Sequence, residues 1–262
     1  MQQDTRPYRM HRHFSDVATS YNELRTTDSE PIRYIADELA RGRSLTGIDI
    51  GCGSGRYSLL LLQHLPELQL ICCDANEAML AETTRYLEDH GVRSFSVLHS
   101  DIENLQLAEN SYDCIFTFNA IHHFDAVAFL GKAASALRQN GHVFIYTRLK
   151  SQNAGNIWGR FFPGFKEKET RLYELSEIRS WDESAHPISL SAIEAFTFKR
   201  AAALEHLVRQ AQGKHYSTFS LFSADEFQCS LAEFRENIRQ NFADTTRVEW
   251  FDENVMISFR RD

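Results

Sequence analysis

The chain has 262 residues, of which 43% are hydrophobic and 24% are charged, and its formal net charge is −8. That size predicts one large buried core or one core with a smaller elaboration, and the acidic balance disfavours a nucleic-acid partner because phosphate binding needs a basic face. No apolar run reaches the roughly 20 residues that span a membrane, and the five cysteines lack the paired spacing of a zinc site. We therefore expect a cytoplasmic protein with reduced thiols, no membrane span and no bound metal.

The first half of the chain alternates short apolar runs with helical patterns, which is typical of a parallel α/β sheet. Pro31 favours a first helical turn, Asn76 a helix cap and Gly91 a helix end. The predicted elements are, in chain order, a helix over 31–41, a strand over 45–50, a helix over 56–65, a strand over 68–73, a helix from Asn76 to about 89, strands over 95–98 and 112–118, a helix over 124–137 stopped by Asn140-Gly141, and a strand over 142–149.

The second half of the chain has fewer clear signals. Ser223 and Glu226 form a capping box that predicts a helix to about residue 240. A last strand is predicted over 255–260, with residues 191–200 as its candidate partner. Structureless loops as long as the remaining chain are uncommon. We therefore expect residues 150–242 to form lid or insertion elements interleaved with the end of the sheet, within a single domain.

Three glycines, Gly51, Gly53 and Gly55, follow the first predicted strand and are preceded by Asp49. Closely spaced glycines let the backbone turn sharply and approach a ligand without Cβ atoms in the way. Dinucleotide enzymes use the spacing G-x-G-x-x-G, which would need a further glycine at position 56 or 58. The alternating spacing therefore points to a nucleotide-like ligand other than a dinucleotide.

Two aspartates end the next two predicted strands. Asp74 lies about twenty residues beyond the glycines, where a carboxylate accepts hydrogen bonds from ribose hydroxyls. Asp101 could accept from an adenine amino group, and Ile102 beside it offers an apolar face to the ring. Each aspartate alone is more often a helix cap. Together with the glycines they predict a ligand at the carboxyl ends of the strands.

These residues, with Ser100-Asp101-Ile102 and the run from Phe118 to Phe124, resemble class I S-adenosylmethionine-dependent methyltransferases. The chain is similar to the branch that contains the ubiquinone/menaquinone-biosynthesis enzymes and many small-molecule methyltransferases. The resemblance implies a Rossmann-like α/β fold, with a seven-stranded, mostly parallel sheet whose last strand is antiparallel and helices on both faces. It implies methyl transfer from S-adenosylmethionine to a small molecule by in-line displacement, with S-adenosylhomocysteine as product.

The same resemblance assigns cofactor contacts by position. Gly51, Cys52 and Gly53 would pass under the methionine moiety, Asp74 would hold the ribose, and Asn119 would lie at the carboxypropyl region. The adenine would fall to Asp101 and Ile102, and the contact set is completed by Asp49 and Ala75.

The N-terminal run from Phe14 to Arg25 resembles the segment that closes over the cofactor in these enzymes, so residues 1–30 are expected to cover it. Tyr21 and Arg25 would lie at the methionine end, with Arg25 pairing the cofactor carboxylate. The ordinary alternative is an amphipathic helix with a solvent-exposed arginine.

Candidate acceptor-side residues follow the fourth and fifth strands. His123, and second His122, could act as a general base, although such histidines also serve turn packing or cofactor contact. Tyr146 and Arg148 could face the acceptor, and Arg148 would suit an anionic one, although exposed arginines are common. Enzymes that methylate base or glutamine amino groups usually carry Asn/Asp-Pro-Pro-Tyr at this point, and this chain has Asn119-Ala120-Ile121-His122 instead.

In the predicted lid, His215 is a further candidate base and Tyr216 a candidate acceptor contact. The surrounding aromatic residues more often fill cores than line pockets. They are Trp158, Phe161, Phe162, Phe219 and Phe222.

Two other functions are compatible with parts of the pattern. A nicotinamide-dependent oxidoreductase shares Asp74 but needs the other glycine spacing and leaves Asp101 unexplained. A protein that binds S-adenosylmethionine without catalysis keeps every cofactor residue. The acceptor molecule, its reacting atom and the oligomeric state are not predicted by the sequence.

Overall fold

Seven strands form one mixed sheet in the computed structural model, which describes residues 14–15, 21–39, 42–182 and 187–262. The strand order is β3-β2-β1-β4-β5-β7-β6. The strands are β1 (Leu45–Ile50), β2 (Leu68–Asp74), β3 (Phe95–His99), β4 (Tyr112–Phe118), β5 (Leu137–Thr147), β6 (Ile188–Ala202) and β7 (Val248–Arg261).

The first five strands are parallel and the last is not. β1 pairs in parallel with β2 and β4, β2 with β3, and β4 with β5, whereas β7 runs antiparallel to β5. The predicted Rossmann-like sheet with an antiparallel last strand is therefore confirmed.

Eleven α-helices lie in the described part of the chain. They are α1 (Tyr21–Leu24), α2 (Glu30–Glu38), α3 (Arg56–His64), α4 (Glu77–Asp89), α5 (Ala126–Ala136), α6 (Lys150–Gly155), α7 (Ile157–Phe161), α8 (Phe165–Lys168), α9 (Leu175–Ser180), α10 (Leu204–Gln212) and α11 (Ala224–Asn241). Short 3-10 helices span Ile121–His123 and Ser217–Leu221. None of these helices is long and apolar enough to cross a membrane.

Side-chain caps explain where several helices begin. The Asn76 side chain accepts a hydrogen bond from Met79 N at the start of α4, as predicted. Ser223 and Glu226 form the predicted reciprocal capping box at the start of α11. Asp125 caps α5 by accepting from Val127 N and Ala128 N.

The end of α5 differs from the prediction. The helix ends at Ala136 and β5 begins at once with Leu137, which pairs with Tyr112. Asn140 takes a left-handed φ of +62°, and a Cβ on Gly141 would lie 2.8 Å from the Arg138 carbonyl oxygen. Asn140-Gly141 is therefore an irregularity inside the strand and not a helix stop.

The last two strands are longer than predicted. β6 extends the predicted 191–200 at both ends, and β7 begins at Val248 instead of Val255. The added part of β7 is largely half-buried or exposed, so it lacks the continuous burial of residues 254–259.

The described chain divides into two compact units. The sheet unit comprises residues 26–147, 175–196 and 255–262, and its core includes the fully buried rings of Phe116, Phe144 and Tyr146. The second unit comprises the described residues up to Arg25 with 148–174 and 197–254, and it has an aromatic core of its own. Four of the predicted lid aromatics are buried in that core: Trp158, Phe162, Phe219 and Phe222.

Candidate functional site

The glycine turn connects β1 to α3 in the sheet unit. Gly51, Gly53 and Gly55 take left-handed φ angles of +75°, +56° and +79°. The Gly51 and Cys52 N–H groups both donate to the Cys73 carbonyl oxygen, at 2.8 and 3.1 Å. The turn is thereby tied to the carboxyl end of the neighbouring strand β2.

The three glycines differ in what surrounds them. A Cβ on Gly51 would lie 2.6 Å from the Ala120 Cβ, and one on Gly55 would lie 2.9 Å from the Thr83 Cγ2. At Gly53, no heavy atom of the described residues comes within 4 Å of that position. The turn therefore has an open backbone surface at Gly53, which is the geometry that a closely bound ligand requires.

Asp74 supports this open surface from the end of β2. Its Oδ2 accepts from Gly53 N at 2.9 Å, and its Oδ1 accepts from Asn76 N at 2.9 Å. The half-buried carboxylate predicted to hold the ribose thus also fixes the turn, which the sequence pattern alone did not indicate. On the other side, Thr83 Oγ1 donates to Gly53 O at 2.6 Å.

Asp49 lies beneath the turn with 1% of its surface exposed. Its Oδ2 accepts from Ser58 Oγ at 2.7 Å. Burial raises the pKa of Asp49 to about 7, against the lowering effect of the Ser58 hydrogen bond and with a further rise from the charge of Asp74. The carboxyl group is thus poised to titrate near neutral pH.

The end of β3 holds the two residues predicted at the adenine. Asp101 accepts from Asn104 N at 2.8 Å and from its side-chain amide, and the backbone bond from Asn104 is the main reason that the pKa of Asp101 is lowered. Ile102 is 8% exposed, and its carbonyl oxygen accepts from Lys132 Nζ at 2.6 Å. Lys132, for which the sequence pattern gave no signal, also donates to the carbonyl oxygens of Glu103 and Leu105.

Asn119 follows β4 in a left-handed conformation with a φ of +55°, and its N–H donates to Tyr146 O at 2.7 Å. The next residues form the short 3-10 helix in which His122 is half-buried and His123 exposed, with ring centroids 4.2 Å apart. Asparagine tolerates the left-handed region, which explains its place at this sharp turn.

Cys52 and Ala75 flank the turn and the end of β2. A hydrogen bond with Cys72, and then burial, raise the pKa of Cys52 well above its ordinary value, so its thiol stays protonated. Ala75 is exposed, and its carbonyl oxygen lies 3.0 Å from His99 Nε2.

Tyr146, predicted at the acceptor, is fully buried at 0% exposure. Its ring meets Tyr57 edge-on at 5.7 Å and Phe196 at 6.0 Å between centroids. These contacts place the ring in the aromatic core of the sheet unit.

The second unit brings together four of the predicted residues. Arg25 Nη1 donates to His215 O at 2.9 Å, and the Arg25 guanidinium lies 4.4 Å from the centroid of the Tyr216 ring. Arg148 Nη1 donates to the Tyr216 hydroxyl at 3.2 Å, and its Nε donates to Asn254 Oδ1 at 3.1 Å. The side chain of Tyr21 lies outside the described residues.

His215 is 4% exposed, with Trp158 5.0 Å from its ring centroid. Burial, and then the charge of Arg25, lower the pKa of His215 well below its ordinary value, so the ring is neutral. Its Nδ1 lies 2.9 Å from the Gln210 carbonyl oxygen, which can only accept, so Nδ1 carries the proton. Nε2 is then an acceptor, and no described residue hydrogen-bonds to it.

No group of three or more His, Cys, Asp or Glu side chains that could hold a metal ion occurs among the described residues. Asp74 and Asp49 instead accept hydrogen bonds from the Gly53 N–H group and the Ser58 hydroxyl at the glycine turn.

Known methyltransferases match this chain in sequence and in fold. A family model described as a methyltransferase domain matches residues 48–141. A malonyl-[acyl-carrier protein] O-methyltransferase of Alcanivorax borkumensis is 25% identical over 203 residues, covering 77% of this chain and 61% of that protein. A tRNA (carboxymethyluridine(34)-5-O)-methyltransferase of Saccharomyces cerevisiae is 25% identical over 142 residues, covering 52% of this chain and 47% of that protein.

Among solved structures, the YcgJ protein of Bacillus subtilis shares the fold, with a TM-score of 0.63 and 16% identity over 89% of this chain and 99% of that one. The matched family region contains the glycine turn, Asp74, Asp101 and Asn119, which are the residues that carried the resemblance in the sequence. Residues 48–141 are thus matched by a methyltransferase domain, and the chain spans 61% and 47% of the lengths of these two curated relatives.

Proposed function

We propose that this protein transfers the methyl group of S-adenosylmethionine to a small-molecule acceptor. The observation that carries the proposal is the open backbone surface at Gly53, with the Asp74 carboxylate directly bonded to it. A nucleoside with an extended substituent needs both features, because its chain must lie against bare backbone while its ribose hydroxyls meet an acceptor.

The cofactor supplies an electrophilic methyl group on a positively charged sulfur. The residues of the chain then have to bind the cofactor and the acceptor, align them and exclude water. In-line displacement gains most of its acceleration from this alignment. We assign the ribose to Asp74 and the adenine to Asp101 and Ile102, with Asn119 near the amino-acid end. The proposed roles of Tyr21, Arg25, Asp49 and Ala75 rest on the resemblance.

An oxygen atom is the acceptor that the relatives favour. The printed names of both curated relatives describe O-methyltransferases. One of them acts on tRNA, but the net charge of −8 opposes binding to a polyanion. We therefore propose an oxygen nucleophile on a small molecule.

His215, His123 and His122 are the three side chains that we propose as candidates to take a proton from such an oxygen. The fixed tautomer of His215 leaves Nε2 as an acceptor, while burial and the charge of Arg25 lower its pKa and so weaken it as a base. A hydroxyl acceptor would use this base, whereas a carboxylate acceptor, already ionised, would not. His123 and His122 remain the alternative bases, with Arg148 and Tyr216 as proposed acceptor contacts and Tyr146 held in the core.

His215→Asn is expected to lower kcat about a hundredfold while leaving the affinity for S-adenosylhomocysteine within about twofold, because general bases typically contribute that much to rate. Steady-state kinetics and calorimetry measure the two quantities. His206→Asn, on helix α10 of the same unit, is the matched control. Unchanged kcat in His215→Asn, with a loss in His123→Ala, would move the base to His123; no loss in either would favour a carboxylate acceptor.

The overall proposal is tested by incubating the protein with labelled S-adenosylmethionine and panels of small hydroxy and carboxy compounds, with tRNA as a separate arm. Labelled methyl in a small compound is the expected result. Label in tRNA alone would overturn the small-molecule assignment. Cofactor binding without transfer to any acceptor would support the non-catalytic alternative, and binding of NADH in its place would support an oxidoreductase.

The open surface at Gly53 makes a paired prediction with Gly51. Gly53→Ala is expected to cost about 1 kcal/mol of folding stability, the penalty of a left-handed alanine, but to weaken S-adenosylhomocysteine binding at least tenfold. Gly51→Ala should cost more stability, because its Cβ would lie 2.6 Å from the Ala120 Cβ. Urea denaturation and calorimetry separate the effects. Normal cofactor affinity in a folded Gly53→Ala variant would contradict ligand approach at Gly53.

A further inference from the structure

Gly53 holds an unusual position among the three glycines of the turn. Gly51 and Gly55 are enclosed by Ala120 and Thr83, so packing restricts their conformations. Gly53 has no such enclosure from the described residues, although it takes a left-handed φ of +56°. Because glycine has the greatest backbone freedom of any residue, something other than packing must hold it.

Hydrogen bonds on both sides of Gly53 provide that restraint. Its N–H donates to Asp74 Oδ2 at 2.9 Å, and its carbonyl oxygen accepts from Thr83 Oγ1 at 2.6 Å. The first bond fixes the peptide before Gly53 and the second fixes the peptide after it. Together they set both backbone dihedrals of the residue that presents the open surface.

Both hydrogen bonds come from one continuous segment of the chain. Asp74 ends β2, its Oδ1 accepts from Asn76 N, and Asn76 caps α4, the helix that carries Thr83. The turn between β1 and α3 is thus held by the strand and helix that follow it in the chain.

Thr83 touches the turn at more than one point. It is 0% exposed, its Oγ1 also lies 3.9 Å from Cys52 Sγ, and its Cγ2 lies 2.9 Å from where a Cβ of Gly55 would stand. The Thr83 hydroxyl therefore hydrogen-bonds the Gly53 carbonyl oxygen, and its methyl group packs against Gly55.

We propose that Thr83 is a positioning residue for the cofactor, whose hydroxyl holds the Gly53 peptide in the conformation that accepts the methionine part of S-adenosylmethionine. This inference rests on the proposed function. Thr83 itself need not touch the cofactor. Its hydrogen bond already orders Gly53 in the unbound protein, so less conformational entropy is lost there when the cofactor binds.

The test compares Thr83→Val, which replaces the hydroxyl with a methyl group, with Thr83→Ser, which keeps the hydroxyl and loses the methyl group. Thr84→Val is the control, because the neighbouring hydroxyl bonds Leu80 O within the same helix. Calorimetry with S-adenosylhomocysteine should show about tenfold weaker binding for Thr83→Val, the loss expected for one hydrogen bond, and a change within about twofold for Thr83→Ser and Thr84→Val.

A second ligand distinguishes positioning from general destabilisation. 5′-Methylthioadenosine lacks the amino-acid part, so its affinity should fall much less in Thr83→Val than that of S-adenosylhomocysteine. Equal losses for both ligands, or wild-type affinity in a folded Thr83→Val variant, would overturn the role of Thr83 alone. No binding of S-adenosylhomocysteine to the wild-type protein would overturn the proposed function and this inference with it.

Discussion

Asp74→Ala is expected to weaken the binding of S-adenosylhomocysteine about a hundredfold. The carboxylate supports Gly53 N and Asn76 N at 2.9 Å each, and its proposed task is to accept the ribose hydroxyls. Hydrogen bonds to a charged group contribute about 1.5–3 kcal/mol each, so losing the ribose contact and loosening the turn together account for the expected change. Calorimetry on the purified protein measures it.

Glu77→Gln is the matched control for Asp74→Ala. It removes the same charge three residues away, on an exposed side chain at the first turn of α4. Its affinity for S-adenosylhomocysteine should stay within about twofold of wild type, since exposed charges contribute little.

The ribose contact itself is isolated by a ligand that lacks the 2′-hydroxyl. Removing the hydroxyl should cost the wild-type protein about tenfold in affinity and cost Asp74→Ala almost nothing, because the interaction is already absent. Equal costs in both proteins would mean that Asp74 supports the turn without binding the ribose. Asp74→Asn, which keeps one acceptor oxygen, should show an intermediate cost and serves as the comparison should Asp74→Ala fail to fold.

Local pattern was sufficient to predict the strands that carry the site. β1 and β2 are short, mostly buried runs whose ends are visible in the sequence, because Gly51 follows β1 and Asp74 closes β2. Asn76 and Ser223 were predictable as caps because capping depends on neighbours within one turn.

Contacts between distant segments could not be predicted in the same way. Thr83 and Lys132 lie inside helical patterns that give no sign of a partner, yet they bind backbone carbonyls 30 residues away, at Gly53 and Ile102. Tyr146 belongs to a part of β5 that is buried at every position, so alternation along the strand did not indicate which way its ring points.

Asp49→Asn is expected to stabilise the protein, and to do so increasingly as the pH rises. The pKa of Asp49 is about 7 in the folded protein against an ordinary value of 3.8, so the unfolded chain loses this proton first. Wild-type stability should therefore fall between about pH 4 and pH 7 and level off above, by up to about 4 kcal/mol from this group. Asparagine cannot ionise and can still accept the hydrogen bond from Ser58, so the stability of the variant should not fall over this pH range.

Urea denaturation at pH 4.5, 6 and 8 measures how far the stability of Asp49→Asn diverges from that of wild type. Glu169→Gln is a comparison whose stability relative to wild type should change with pH in the opposite direction. Burial tends to raise the pKa of Glu169, but the hydrogen bond and charge of Arg171 and the hydroxyl of Thr218 outweigh it and lower the pKa. That carboxylate stabilises the fold above its ordinary pKa, so Glu169→Gln should lose stability at pH 8 and less in acid. A constant difference between Asp49→Asn and wild type at all three values would show that Asp49 stays ionised in the fold.

The charge of Asp74 links the two aspartates, because it contributes to the raised pKa of Asp49. Asp74→Asn should therefore lower the pKa of Asp49 and shift the fall in stability toward lower pH. The same substitution weakens the proposed ribose contact, so cofactor affinity and the pH dependence of stability should change together in this variant. In Asp49→Asn the pH dependence should change while Asp74 keeps its bonds to Gly53 and Asn76. The carboxylate at the end of β2 thus supports the turn through Gly53 N and adds to the effect of burial on the pKa of Asp49.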